Sequence, residues 1–179
     1  MADVVPVLIT GVITIFGWYA TYAYAKLRED RTRRLDLFLQ LRARQIEELY
    51  GPLLSLIEQV FNVWQVRENV LRGTSCSEED QRKIREFFWL NYFTPLHQDI
   101  GKLLRTKLYL LEGGILPESF NQYLEHATQE ECQHRLWSEL GIDTSKVQGR
   151  RWPQEFHRDV KDTLDRLMQD YQSGMTRLA

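Results

Sequence analysis

The chain has 179 residues, of which 43% are hydrophobic and 27% charged, and its formal net charge is −2. This composition excludes an intrinsically disordered chain, and it lacks the overall basic excess of a nucleic-acid-binding protein. Mean hydropathy is negative, which excludes a polytopic membrane protein. The apolar content is concentrated at the N-terminal end. Val4 to Ala25 is a 22-residue stretch without a formal charge. As a helix it is about 33 Å long, enough for the hydrocarbon core of a bilayer. Pro6 falls in its first turn, where a missing N–H costs little. Trp18, Tyr19, Tyr22 and Tyr24 cluster at its far end in the manner of an interfacial aromatic belt. Residues 1–25 are therefore predicted to be a single transmembrane anchor.

The flanks set an orientation. Lys26, Arg28, Arg31, Arg33 and Arg34 follow the stretch, whereas only Met1, Ala2 and Asp3 precede it. Positive residues remain on the cytoplasmic side, so the N-terminus is expected outside and the rest in the cytoplasm, at the inner membrane. A cleaved signal peptide is the competing reading, because Ala23-Tyr24-Ala25 fits a small-x-small site. The basic block follows that site instead of preceding it, which argues against secretion. The same five cations are expected to contact anionic lipid headgroups. Thr10, Thr14, Gly17 and Thr21 fall on one helical face. Small and hydroxyl side chains in a stripe suit close helix approach, so they are candidates for a homo-oligomer seam or the lining of a pore.

Residues 26–50 continue the helical periodicity as a juxtamembrane helix, and residues 51–172 read as a helical bundle domain. Gly51-Pro52 is expected to break or kink the chain. Leu53, Ile57 and Val60 form one apolar face, and Gly73 stops that helix. Ser77 with Asp80 resembles a capping box. Ile84, Phe87, Phe88 and Trp89 give an aromatic helix. Thr94-Pro95 reads as an N-cap and first residue of the next helix, which carries Ile100 and Leu104. Further helices follow Pro117, with Phe120 and Tyr123 inward, and Trp152-Pro153, with Phe156, Val160 and Leu167 inward. No stretch shows sustained two-residue alternation. The predicted fold is all-α: the transmembrane helix continues into a cytosolic bundle of about five helices, with a frayed tail over 173–179.

Chemistry is sparse. Cys76 and Cys132 have neither metal-knuckle nor redox spacing and read as free thiols. His126, Glu130, Glu131 and His134 lie within about two helical turns. Glu131-x-x-His134 has the spacing of half a di-iron site, but no second Glu-x-x-His exists, so a solvated polar face is expected, with no metal or cofactor. Arg151 and His157 are separated by five residues. An arginine to hold a phosphate and a histidine to move a 2′-hydroxyl proton make them candidate catalytic residues. That pattern resembles the ribonuclease signature of the HEPN helical-bundle family. The resemblance implies a membrane-tethered ribonuclease, although Trp152-Pro153 replaces the polar residue usual after the arginine, and RNA as a partner is not supported by the net charge.

Glu48-Leu49-Tyr50-Gly51-Pro52-Leu53, Pro95-Leu96 and Trp152-Pro153-Gln154-Glu155-Phe156 resemble punctuation in poorly characterised bacterial single-span membrane proteins with an all-helical cytosolic domain. In size and architecture the chain is also similar to membrane accessory proteins of RNA-guided antiviral systems, which carry HEPN-like bundles. These resemblances imply a membrane-anchored oligomer acting through an unknown cytosolic protein partner, with pore formation in antiviral defence. The ribonuclease is one alternative and a lipid-surface adaptor another. An enzymatic role is the less expected.

Overall fold

The computed structural model describes the backbone of residues 4–74, 77–144, 147–149 and 151–178, and side chains from Ile15 onward within those ranges. Four long helices build the fold: α1 (Val4–Gln45), α2 (Gly51–Gly73), α5 (Glu118–Leu140) and α6 (Gln154–Leu178). Two shorter ones, α3 (Glu78–Phe88) and α4 (Thr94–Lys107), lie between α2 and α5. No strand occurs among the described residues. α2 packs on α3, α4 and α6, while α6 also packs on α1 and α5. The central core is Leu49, Leu53 and Ile57 from the continuous helical rod that runs through α1 into α2, Ile100 and Leu104 from α4, Phe120 and Tyr123 from α5, and Phe156, Val160 and Leu167 from α6.

The expected anchor is corrected. Among the described residues, no helix is long and apolar enough to cross a membrane. From Lys26 onward α1 is strongly charged; a span needs roughly 20 apolar residues. With the anchor go the inner-membrane topology, the pore, and lipid as a partner. Lys26, Arg28, Arg31, Arg33 and Arg34 are exposed along α1, and their headgroup role has no membrane span to rest on. The homo-oligomer seam rested on the same span. The side chains of Thr10 and Thr14 lie outside the described residues. Thr21 Oγ1 donates to the Gly17 carbonyl at 2.8 Å, a bond within its own helix.

The rod does not break at Gly51-Pro52. α1 passes into α2 through one π-helical turn, Ile46–Tyr50, and the Gly51 N–H donates to the Ile46 carbonyl. The physical reason is Pro52. It has no N–H for the carbonyl four residues back, and its ring crowds that carbonyl; a wider turn relieves both. Gly51 is required there, because a Cβ on it would lie 2.7 Å from the Ile46 carbonyl oxygen. The same device joins α3 to α4. Trp89–Phe93 is a second π turn ahead of Pro95, and the Thr94 N–H donates to the Trp89 carbonyl. Thr94 is therefore helical and does not cap a new helix, contrary to the sequence-based expectation. Ser77 does cap α3: its Oγ accepts from the Asp80 N–H at 3.2 Å.

α6 lies along the second half of α1. Gly174 is buried against Leu39, whose methyl leaves no room for a Cβ. A charge cluster clamps the same seam. Glu112 accepts from Arg42 Nη1 at 3.3 Å and pairs with both Nη atoms of Arg166, while Arg42 Nη2 lies 3.3 Å from Asp170. Arg166, aided by Arg42, holds the Glu112 carboxyl below its ordinary value of 4.5, although burial opposes this. A lowered folded value means that the clamp's contribution is complete above the ordinary value and is lost as pH falls through the folded one. Wild type should therefore lose Tm on acidification below pH 4.5 more steeply than Glu112→Gln; parallel Tm-against-pH curves would show that the clamp contributes nothing.

Candidate functional site

A cleft of about 850 Å³ opens between α2, α5, the second π turn and the start of α6. The local sequence explains its walls. The π turn carries Trp89 and Phe93, whose rings stack at 6.2 Å, and both face the cleft. α2 contributes Val60, Phe61 and Trp64, one helical turn or less apart, together with Arg67. The segment before α6 contributes Gly149, Arg151 and Trp152, and its first turn adds Gln154 and His157.

Trp152 sits at the centre of the aromatic packing. It meets Phe61 and Tyr123 edge-on at 5.3 Å each, His126 at 5.8 Å and His97 at 6.2 Å. Its indole Nε1 is buried and has no hydrogen-bond partner among the described residues. Beneath it, Tyr123 stacks on Phe156 at 4.4 Å and 14°. The Tyr123 hydroxyl shares a 2.8 Å hydrogen bond with His97 Nδ1. Burial pushes the Tyr123 phenol well above its ordinary range, so the hydroxyl stays neutral. Burial, and after it the neighbouring His126, lower His97 to about 4, so this ring is neutral at physiological pH.

His97, His126 and Glu130 each place one potential ligand atom within 4.8 Å of the others. His126 and Glu130 are four residues apart on α5, hence on one face, while His97 reaches in from α4. Burial raises the Glu130 carboxyl, against the opposing pull of His126 and Arg67. Arg67 lies over the Phe93 ring at 5.2 Å and gives two of its N–H groups to Glu68. Arg151 is exposed and forms no ion pair among the described residues.

The two candidate catalytic residues thus reach one cleft. His157 Nε2 lies 2.8 Å from Glu58 Oε1, and its ring rests on Phe61. Glu131 and His134 do not form a metal half-site with a partner set. His134 packs on Trp89 and Trp137, and its buried Nε2 has no hydrogen-bond partner among the described residues. The sequence reading gathered His126 and Glu130 but missed His97. Only the α4–α5 packing brings it to them; the available signal was the four-residue His126–Glu130 spacing. Cys132 is exposed and free, and Cys76 lies outside the described residues.

The segments that carried the family resemblances do structural work. Leu49, Tyr50, Leu53 and Phe156 fill the core, and Trp152 packs against it and lines the cleft. No family model, no curated protein and no solved structure matches the chain. The likeness to bacterial single-span proteins and to HEPN-like membrane accessory proteins is accordingly corrected, together with the pore-forming and antiviral functions drawn from it and the membrane tether of the ribonuclease reading.

Proposed function

We propose that the chain binds a small molecule in this cleft, one that pairs a flat apolar body with an anionic group. The observation that carries the reading is the convergence of an aromatic box with two guanidinium groups on a single cavity of about 850 Å³. The volume falls in the range of small-ligand sites, which combine apolar walls with a few polar groups that fix orientation. Trp89, Phe93 and Trp152 offer faces and edges to a ring. Arg67 keeps donors beyond those used by Glu68, and Arg151 stands at the rim; guanidinium geometry suits a carboxylate or phosphate. In this reading Arg151 and His157 serve binding, with His157 held in place by Glu58 at 2.8 Å.

The test is a ligand panel read by calorimetry and saturation-transfer NMR: aromatic carboxylates such as naphthoate, and their neutral amides. The carboxylates should bind, with the amides at least about tenfold weaker, and Arg67→Gln or Arg151→Gln should each weaken carboxylate binding by about tenfold. Equal affinity for acid and amide, no binding by any member, or an acid preference surviving both substitutions would each defeat the proposal.

A further inference from the structure

We propose that His97, His126 and Glu130 form a site for one divalent transition-metal ion of the zinc type, at the edge of the same cleft. This goes beyond the anionic-ligand reading and stands without it. Three donors of the right chemical kind come within 4.8 Å of one another from two helices. Two imidazoles and a carboxylate suit borderline ions such as zinc and cobalt, and three protein ligands leave a further position for water or substrate. All three residues line the cleft, so that position opens into it.

An independent observation concerns orientation. Histidine ligands are ordinarily held by a hydrogen bond to their other ring nitrogen. His97 has such a partner in place: its Nδ1 lies 2.8 Å from the Tyr123 hydroxyl, and in the tautomer whose Nδ1–H donates to that oxygen, Nε2 carries the lone pair for a ligand. Tyr123 is itself fixed, fully buried and stacked on Phe156. Around a tetrahedral ion at about 2.1 Å, donor atoms stand about 3.4 Å apart. The trio must therefore draw together on binding, and Glu130, half-buried on a flexible side chain, is placed to supply most of that movement.

The experiment is equilibrium dialysis of the full chain against Co²⁺ and Zn²⁺, with metal content by mass spectrometry and the visible spectrum of the cobalt form. One ion per chain and a tetrahedral cobalt spectrum without a thiolate charge-transfer band are expected. Glu130→Gln, nearly isosteric, should weaken binding by more than about 100-fold, and His126→Ala likewise. Tyr123→Phe, which keeps the stack on Phe156, should weaken it by about 10–100-fold with an unchanged circular dichroism spectrum. Cys132→Ser and Arg67→Gln should leave it intact; the latter separates this site from the anion reading. Absence of stoichiometric uptake, uptake unaffected by Glu130→Gln, or uptake lost in Cys132→Ser would overturn the assignment.

Discussion

Phe156→Ala is expected to lower the stability of the bundle by about 3–5 kcal/mol in chemical denaturation, the range for removing a large buried aromatic side chain. Phe156 is fully buried. It stacks on Tyr123 at 4.4 Å, meets Phe120 edge-on at 5.0 Å and lies 6.1 Å from Trp152. The cavity would open between α5 and α6, where the surrounding rings cannot collapse without leaving their own partners. For a domain stabilised by about 5–15 kcal/mol the loss is large. It has a functional side as well. Tyr123 would lose the surface it rests on, and His97 its fixed hydrogen-bond partner, so the cleft residues should become mobile even where the fold survives. A cost below about 1 kcal/mol would mean that the site is not built on this stack.

Gly51→Ala should cost about 2 kcal/mol, a result whose sign is informative. In an ordinary helix interior the substitution favours folding by up to about 1 kcal/mol. Here the new Cβ would lie 2.7 Å from the Ile46 carbonyl oxygen. That atom belongs to the backbone of the π turn and cannot rotate away as a side-chain end could. Relief requires the turn to open or the Gly51 hydrogen bond to lengthen, either of which disturbs Leu49, Tyr50 and Leu53 in the core. Thermal melting reads the difference directly. A raised Tm would show that the wide turn is not what glycine serves at this position.

The core was legible in the sequence because burial follows helical periodicity. Leu53, Ile57 and Val60, then Ile100 and Leu104, then Phe156, Val160 and Leu167 repeat at three, four or seven residues, and all are buried. α5 stops at Gly141, which adopts φ 65°, a conformation that glycine takes at little cost. The π turns were not legible. Gly-Pro and Thr-Pro are signals for a break, and whether the backbone stops or widens depends on what packs against it on either side. The apolar N-terminal stretch illustrates a different limit. A long uncharged run predicts a span by composition, yet among the described residues no helix is long and apolar enough to cross a membrane. The candidate site shows the reverse problem. Arg151 and His157 were found by spacing along the chain. The more suggestive trio needs His97 from another helix, and Tyr123 to orient it, and neither relation leaves a trace in local pattern.

The wide turn at Ile46–Tyr50 also acts as an angular gear. It holds one residue more than an ordinary turn would, and each residue advances an α-helix by about 100°. Excising a single residue there would restore uniform pitch but swing everything upstream by about that angle relative to α2. Leu39 would be carried away from Gly174, and Gln45, which donates to the Leu110 carbonyl at 2.9 Å, would point off its acceptor. The irregularity thus sets which side of the first helix meets the last one.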